Sequence, residues 1–185
     1  MSNKGFLILG HGRHGKDTFA DLLSEWGGWK FMSSSRVAGK VAVWPKFGQH
    51  HYPDFETCYA DRHQHRETWF NLISEYNTPD KTRTMRAMLA EGADGYIGMR
   101  NIGEVLACWG AGLTRQIFYV TAGHRLPEEP ESSNTATMEN LDYFDIPYTI
   151  VYNYRPLECP KGGMIKQAKQ IALDLHKEDS ECTTH

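Results

Sequence analysis

The sequence of 185 residues contains few cysteines, and no two of them are close together. They stand at Cys58, Cys108, Cys159 and Cys182, so no pair has the Cys-x-x-Cys spacing of a zinc ribbon or a thioredoxin-like redox motif. No other group of metal-ligating side chains has the spacing of a metal cluster. We therefore expect free thiols in a reducing compartment, and the sequence argues against a structural metal centre.

A long apolar run is also missing. A helix that spans a membrane needs roughly 18 or more apolar residues, and the sequence has no such run. The N-terminal residues Met-Ser-Asn-Lys lead directly into a short apolar strand pattern and lack the features of a secretory signal. We therefore expect a cytoplasmic protein without a membrane partner.

Neither sign of charge is in large excess. The chain has 20 lysines and arginines against 23 acidic residues, a net charge of -3, which predicts no strong general attraction to nucleic acid. The distribution is uneven, because the net charge is 0 over residues 1–27, +2 over 28–120 and -5 over 121–185. We therefore expect an anionic partner to meet the first two parts, by local contact with a few phosphates rather than along a basic track.

Short apolar runs alternate with helical patterns along the chain. Strands are predicted at 5–9, 29–32, 95–99, 116–121 and 147–152. Helices are predicted at 17–26, 33–43, 59–76, 78–91, 101–112 and 163–176. In the helix at 78–91, Thr78 is the predicted N-cap and Pro79 is the first helical residue. Residues 44–57 and 124–141 are predicted loops, and residues 178–185 a flexible tail after a single domain over 1–177.

This alternation is typical of an α/β fold with a short parallel sheet. In such sheets, ligands bind at the carboxyl ends of the strands. Gly10, Arg100 and Ala122 each follow a predicted strand at that end. The sequence therefore predicts that three strands deliver residues to one functional edge.

A glycine-rich motif lies between the first predicted strand and the first predicted helix and fits the pattern G-x-x-x-x-G-K. It consists of Gly10, His11, Gly12, Arg13, His14, Gly15, Lys16, Asp17 and Thr18. Glycines allow backbone N–H groups to converge on phosphate oxygens, and the helix N-terminus adds partial positive charge. Lys16 would reach the β- and γ-phosphates. The motif predicts a phosphate-binding loop, in which the backbone of the two histidines matters more than their rings.

The position after the lysine departs from the strict motif. It holds Asp17, and the hydroxyl comes one residue later, at Thr18. Thr18 can still point to the phosphates from the first helical turn. Asp17 either acts on Mg²⁺ through water or favours the start of the helix. We expect both residues near Mg²⁺, because phosphoryl transfer from ATP depends on this ion.

The segment Gly15-Lys16-Asp17-Thr18, with its late hydroxyl, resembles the loop of bacteriophage deoxynucleoside monophosphate kinases, a thymidylate-kinase-like group. A second set of residues is similar to phage P-loop kinases, including those that phosphorylate 5-hydroxymethyluracil within DNA: Asp61, Arg62, His65, Arg66, Trp69, Glu75-Tyr76-Asn77 and 95–100. The resemblance covers roughly residues 5 to 125. It implies a P-loop NTPase three-layer sandwich that uses ATP and Mg²⁺. It also implies an acceptor-binding helical insertion at about 33–92, a lid-like loop at about 124–141 and, for a phage-encoded protein, the host cytoplasm.

The resemblance also implies roles for residues at matching positions. Acceptor binding falls to Ser34, Ser35, Arg36, Arg62, His65, Arg66, Trp69 and Arg100. Catalysis falls to Lys16, Asp61, Arg100 and Arg125, with Asp61 as the base. A lid normally brings several arginines over the transferred phosphoryl group, whereas the loop at 124–141 contains only Arg125. That departure weakens a literal adenylate-kinase mechanism.

Several of these residues also allow a purely structural interpretation. Asp61 and His65 share one face of a predicted helix, and Arg62 and Arg66 share the neighbouring face. They form either an acceptor site or a solvated face with pairs four residues apart. Arg100 is either a functional residue at a strand end or a surface arginine, and Trp69 (a core residue in the structural interpretation) would otherwise be a stacking platform.

Three functions compete. The first is an ATP-dependent phosphotransferase that phosphorylates the hydroxymethyl group of 5-hydroxymethyl-deoxyuridine in phage DNA, with Asp61 taking the proton. The second is a kinase for free deoxynucleoside monophosphates, in which arginines bind the acceptor phosphate. The third is a nucleotide-binding regulator without catalysis. A free pyrimidine deoxynucleotide is therefore the alternative partner to DNA, and a second copy of the chain is a further candidate partner.

Overall fold

Five parallel strands form the central sheet of the computed structural model, which describes residues 4–130, 134–154 and 163–182. The strands are β1 (Gly5–Leu9), β2 (Phe31–Ser33), β3 (Gly95–Ile97), β4 (Thr114–Thr121) and β5 (Thr149–Tyr152). Their order across the sheet is β2-β3-β1-β4-β5, and every neighbouring pair is parallel. The predicted α/β fold with a short parallel sheet is therefore confirmed.

Helices cover both faces of this sheet, because the central strand is apolar on both sides. Phe6 and Ile8 of β1 pack with α1 (Lys16–Gly27) and α9 (Met164–Cys182). Leu7 and Leu9 point to the opposite face. There they pack with α6 (Arg83–Ala90), α7 (Ile102–Gly110) and α8 (Met138–Tyr143). The result is the predicted three-layer arrangement of helix, sheet and helix.

The predicted insertion between β2 and β3 is helical and has its own small core. It contains α2 (Ser34–Ala38), a π-helix (Gly39–Gly48), α3 (Gln49–His51), α4 (Phe55–Ala60), a 3₁₀ turn (Asp61–His63) and α5 (Arg66–Asn77) before α6. Ala42, Val43, Cys58 and Trp69 are its buried apolar residues. This core is separate from the two that cover the sheet, so the helices of the insertion pack around a third group of buried apolar residues.

The predicted loop at 44–57 is wrong over most of its length. Residues 44–51 continue the helical path that begins at Ser34, although Pro45 lies inside the π-helix. Proline and glycine lower helix propensity, but burial of Ala42 and Val43 in the core of the insertion stabilises the helix. Tertiary packing here outweighs the local signal.

Two predicted helix boundaries in the insertion are also wrong. The single helix predicted at 59–76 is interrupted, because α4 ends at Ala60 and α5 begins at Arg66. The helix predicted from Thr78 begins only at Arg83. Thr78 instead lies at the end of α5, where its hydroxyl donates to the carbonyl of Ser74 at 2.8 Å. Its capping function was predicted for the wrong helix.

The last helix is longer than predicted. It continues to Cys182, past the predicted end at 176 and into the predicted tail. A contact with the sheet explains the extension, because Arg115 of β4 lies 2.8 Å from the carboxylate of Asp179 and donates to the carbonyl of Leu175. Within the described part of the chain, no helix combines the length and apolar character needed to cross a membrane.

The turn after β1 fits the sheet only because it begins with glycine. Gly10 has a φ of 132°, which L side chains rarely adopt. A Cβ atom at this position would also overlap the carbonyl oxygen of Val120 in β4. Two constraints, one conformational and one steric, therefore act on the same residue.

We predict that Gly10→Ala lowers the free energy of unfolding by about 2–4 kcal/mol, the combined effect of backbone strain and overlap with the neighbouring strand. Urea denaturation measures the loss. Gly92→Ala is the matched control, because Gly92 has a φ of 73° but a Cβ atom there would meet nothing within 4 Å. It should cost only about 1–2 kcal/mol. Equal losses in the two variants would contradict the steric part of the argument.

Candidate active site

The residues that follow the strands meet at one edge of the sheet, because all five described strands are parallel. Gly10 follows β1, Ser34 follows β2 and Gly98 follows β3. Ala122 follows β4 and Asn153 follows β5. This edge contains the glycine-rich motif and is the candidate active site.

The glycine-rich loop, residues 10–16, is held by the end of β5. The amide of Asn153 donates to the carbonyl of His14 at 3.0 Å. A Cβ atom on Gly15, whose φ is 97°, would lie 2.6 Å from the same amide nitrogen. The turn therefore requires glycine directly before α1, and it directs the N-terminus of that helix to the edge of the sheet.

Lys16 lies beneath this loop. Its side chain is buried, and its Nζ donates to the carbonyls of Gly10 at 2.9 Å and His11 at 2.7 Å. Burial, together with the nearby guanidinium of Arg100, lowers the pKa of Lys16 from its usual value. The ammonium is thus held by the loop's own carbonyls in a poorly solvated place, where an anion would interact with it strongly.

Asp17 and Thr18 occupy the first turn of α1, and both are exposed. Their carboxylate and hydroxyl oxygens are of the type that Mg²⁺ prefers, so the donor set fits the predicted ion. Within the described residues there is no cluster of three or more His, Cys, Asp or Glu side chains that would form a separate metal site.

Thr18 also lines a cavity of about 590 Å³ beside the loop. Its wall includes Leu22, Asn153, Tyr154, Met164 and Lys169. This volume lies in the usual range for small-molecule sites, and the wall is mostly apolar. The cavity is therefore large enough to take a nucleobase next to the phosphate loop.

The rings of the two loop histidines bind a segment that we call the strap, residues 122–130. His14 Nδ1 accepts from the backbone N–H of Ala122 at 3.1 Å, and its Nε2 lies 3.3 Å from the carbonyl of Pro127. His11 Nδ1 accepts from the backbone N–H of Glu129 at 3.0 Å. Burial lowers the pKa of His11, which favours the neutral ring that can accept. The rings of these histidines therefore have a structural role beside the backbone role that the sequence predicts.

The strap brings Glu129 onto the loop, a residue that the sequence did not single out. Its Oε2 accepts from the backbone N–H of Gly12 at 2.8 Å, and its Oε1 lies 3.0 Å from Arg100 Nη1. The Arg100 side chain is half exposed and paired with Glu129 in this arrangement. The only signal for Glu129 in the sequence was the acidic character of the predicted lid.

The described residues of the predicted lid, 124–130 and 134–141, make several hydrogen bonds to the strand ends and include the start of a helix. Arg125 donates to the carbonyl of Asn153 at 2.5 Å, which places it near the cavity rather than against Lys16. The backbone N–H groups of Thr135 and Ala136 donate to the carbonyl of Arg100, and α8 begins at Met138. The described residues between 124 and 141 are thus attached to the strand ends at several points.

Three of the predicted acceptor residues follow β2. Ser34 donates to the carbonyl of Gly98 at 3.0 Å, and a Cβ on that glycine would lie 3.7 Å from Lys16 Cε. Ser34 is therefore a neighbour of the phosphate loop. Ser35 bonds the hydroxyl of Tyr59 at 2.9 Å, farther into the insertion.

Arginine and aromatic groups form a stack in the insertion. The guanidinium carbons of Arg36 and Arg62 lie 5.4 and 4.1 Å from the centre of the Tyr59 ring. Arg36 also pairs with Glu56. Trp69 packs 6.0 Å from the same ring but is 5% exposed, which places it in the core of the insertion rather than on a face open to substrate. The burial of Trp69 therefore agrees with its structural interpretation as a core residue.

Asp61 lies in the 3₁₀ turn and is half exposed. The hydroxyl of Tyr52 donates to its carboxylate at 2.6 Å, and His65 Nε2 lies 3.4 Å from the same oxygen. The hydrogen bond to Asp61 raises the pKa of Tyr52 to about 12. Arg66 is exposed at the start of α5. The predicted acceptor residues thus form two groups, one beside Lys16 and one around Asp61.

A buried polar chain lies behind the first group, and the sequence gave no sign of it. Thr84 donates to the side-chain oxygen of Asn77 at 2.9 Å, and the Asn77 amide donates to Glu104 at 3.1 Å. Tyr96 is buried nearby, and burial together with the carboxylate of Glu104 raises the pKa of its hydroxyl well above the usual value. Burial raises the pKa of Glu104 above its usual 4.5, against the opposing effect of the bond from Asn77.

We predict that Glu104→Gln flattens the dependence of stability on pH. A raised pKa means that the folded state binds this proton more tightly than the unfolded chain. The stability contributed by Glu104 is therefore lost as the pH rises from the usual value of 4.5 through the raised pKa, and the variant lacks this loss. Urea denaturation from pH about 4.5 to about 7 tests this against the exposed control Glu139→Gln. A variant that keeps the full decline would refute the assignment.

No protein-family model matches the chain, and no curated protein matches it. Among solved structures, TT1252 from Thermus thermophilus is 14% identical with a TM-score of 0.49, over 94% of this chain and 97% of that one. A gluconokinase from Sinorhizobium meliloti 1021 is 15% identical with a TM-score of 0.45, over 99% and 98% of the two chains. Because both TM-scores are below 0.5, neither similarity supports a conclusion about this chain.

Proposed function

We propose that the protein is an ATP-dependent phosphotransferase. One observation carries the proposal: a lysine is buried under a glycine-rich loop that joins the central parallel strand to the N-terminus of a helix. The backbone N–H groups of that loop, the helix terminus and the Lys16 ammonium all favour an anion at the same edge of the sheet. A cytoplasmic location, where ATP is present, belongs to the same proposal.

Each part of the edge has a role in this proposal. The loop holds the phosphates of ATP, and the cavity beside Thr18 takes the base. Asp17 and Thr18 would hold Mg²⁺, which when bound neutralises charge on the phosphates. Lys16 and Arg100 stabilise the negative charge on the transferred group. Arg125, which donates to the carbonyl of Asn153 in the wall of the cavity, orients the nucleotide.

We infer that the acceptor is the hydroxymethyl group of 5-hydroxymethyl-deoxyuridine in DNA. An alcohol acceptor needs a carboxylate to take its proton, and Asp61 is a half-exposed carboxylate held by Tyr52 and His65. In the reaction, the bond from the γ-phosphorus to the bridging oxygen breaks and a bond to the hydroxymethyl oxygen forms. The alcohol proton passes to Asp61, and ADP leaves. The arginine and aromatic stack around Tyr59 supports binding of a base and its phosphates.

A second candidate, a kinase for free deoxynucleoside monophosphates, is favoured by a different observation. Ser34 and Arg100 stand beside Lys16, so a phosphate acceptor would meet a hydroxyl and a guanidinium next to the transferred group. Such an acceptor carries its own negative charge and needs no base. In this version the group around Asp61 would be structural.

Transfer of label from γ-labelled ATP separates these functions. The protein is incubated with a 5-hydroxymethyluracil oligonucleotide, with the matching thymine oligonucleotide as control, and separately with free deoxynucleoside monophosphates. Label on the modified oligonucleotide alone supports the first acceptor. Label only on the free nucleotides would overturn it in favour of the second. ATP binding without transfer to either acceptor would overturn both and leave a nucleotide-binding regulator.

We predict that Lys16→Met lowers turnover by a factor of about 10²–10³, because it removes a preorganised positive group from the transferred phosphate while keeping much of the side-chain volume. Steady-state transfer rates measure the effect, and thermal unfolding checks that the variant is folded. Lys177→Met is the control, since its side chain is 72% exposed on α9. Wild-type turnover in Lys16→Met would refute the role of the loop lysine.

We predict that Asp61→Asn lowers transfer to the modified oligonucleotide by a factor of about 10²–10⁴, because the base is lost. Transfer to free nucleotides, where it occurs, should change little, since a phosphate acceptor needs no base. Glu67→Gln removes one charge from an exposed position in α5 and is the matched control. A drop of less than threefold on DNA would exclude Asp61 as the base, even if the DNA is the acceptor.

A further inference from the structure

The carboxylate of Glu129 rests on the phosphate loop as an anionic ligand would. Its two oxygens take different partners, the backbone N–H of Gly12 at 2.8 Å and Arg100 Nη1 at 3.0 Å. The contact is close, because a Cβ atom on Gly12 would lie 2.9 Å from Glu129 Oε1. A backbone N–H of a glycine loop and a guanidinium are both ordinary phosphate partners.

The carboxylate of Glu129 also affects the pKa of Lys16. Arg100 lowers the pKa of Lys16, whereas Glu129 raises it, so both charged groups lie within electrostatic reach of the buried ammonium. The loop N–H, the lysine and the arginine are the three positive groups that a terminal phosphate of a nucleotide would use. Glu129 therefore contacts two members of this set and lies within electrostatic reach of the third, although it belongs to a distant part of the chain.

The backbone of the strap holds Glu129 in this position independently of its side chain. The N–H of Glu129 donates to His11 Nδ1 at 3.0 Å. His14 bonds Ala122 at one end of the strap and contacts the carbonyl of Pro127 near the other. Both histidine rings are almost fully buried. The phosphate loop therefore carries the side chains that bind the segment lying across it.

We propose that the strap, residues 122–130, is an autoinhibitory segment, and that the Glu129 carboxylate occupies the place of a nucleotide phosphate group. Nucleotide binding displaces this carboxylate and transfers Gly12 N–H and Arg100 from carboxylate to phosphate. The inference rests on the phosphate-binding part of the proposed function. It does not depend on which acceptor is phosphorylated.

Only molecules with a released strap bind phosphate. The apparent dissociation constant is therefore that of an open loop divided by the fraction of molecules in which the strap is released. If about a tenth of the molecules are in the released state, the apparent dissociation constant is about tenfold higher than that of an open loop. Removal of the Glu129 charge should therefore tighten binding. Relief of charge repulsion alone would also tighten binding of an anion, so displacement of the strap is identified by tighter binding together with the exchange measurement below.

Calorimetric titration with sodium tripolyphosphate, and separately with ATP and Mg²⁺, tests the proposal in the full chain. Glu129→Gln keeps the size of the side chain but removes its charge and its pair with Arg100. We expect its dissociation constant for both probes to fall about tenfold, which corresponds to about 1.4 kcal/mol. Glu139→Gln makes the same charge change at an exposed position of α8 and should bind as the wild type does.

Amide hydrogen exchange supplies a second readout that does not rely on affinity. In the wild type, the N–H groups of Glu129 and Leu126, which donate to His11 and to the carbonyl of Ala122, should be protected without ligand. Tripolyphosphate should make them exchange faster, because the strap leaves the loop. In a protein whose strap is an ordinary part of the site, the same ligand would slow their exchange.

The outcomes are distinct. Equal or weaker binding by Glu129→Gln, or slower exchange of the strap on ligand binding, overturns the proposal even if phosphoryl transfer is confirmed. Tighter binding by Glu129→Gln, together with faster exchange in the wild type, supports the proposal. If neither acceptor is phosphorylated, only the proposed function is overturned. If neither protein binds tripolyphosphate or ATP, both proposals fail.

Discussion

The burial of one ammonium group at the end of the central strand is the constraint on which the rest of the site depends. Lys16 is held by carbonyls of its own loop, and this requires a tight turn between β1 and α1. Gly10 allows that turn to pass against β4, and Gly15 allows it to pass against Asn153. A buried charge also needs compensation nearby, which Glu129 supplies. The loop, two neighbouring strands and the strap are thus coupled through a single charge.

The two histidines of the glycine-rich loop link this loop to the strap. In most glycine-rich phosphate loops the backbone does the binding, and the side chains between the glycines are of secondary importance. Here His11 and His14 are buried and use their ring nitrogens on the strap. The same residues that shape the loop therefore hold Glu129 over it. If the proposed function holds, access to the loop is controlled by residues of the loop itself.

The helical insertion shows where sequence reasoning fails. Apolar residues at helical spacing predicted its helices, but not their ends, because the ends depend on packing and capping. Pro45 sits inside a helix since the neighbouring Ala42 and Val43 are buried in the insertion's core. Thr78 ends one helix instead of starting the next. Trp69 lies among aromatic residues, a position that suggested a stacking platform but that in the structure places it in the core of the insertion. Local patterns identify an amphipathic segment, whereas the tertiary contacts decide where it stops.

The sequence by itself determined the parallel α/β sheet and the glycine-rich loop between β1 and α1. The sheet follows from the alternation of strand and helix patterns along the chain. The loop follows from a contiguous motif, in which the strand, the glycines, Lys16 and the helix start come one after another. Only the tertiary structure decided what the loop touches. Gly12 and Glu129 are 117 residues apart in the chain, and they meet because β1 and β4 are neighbours in the sheet. The partners of the histidine rings follow from the same adjacency. No local pattern encodes such a contact, because its energy comes from hydrogen bonds and charges that exist only once the strands are aligned.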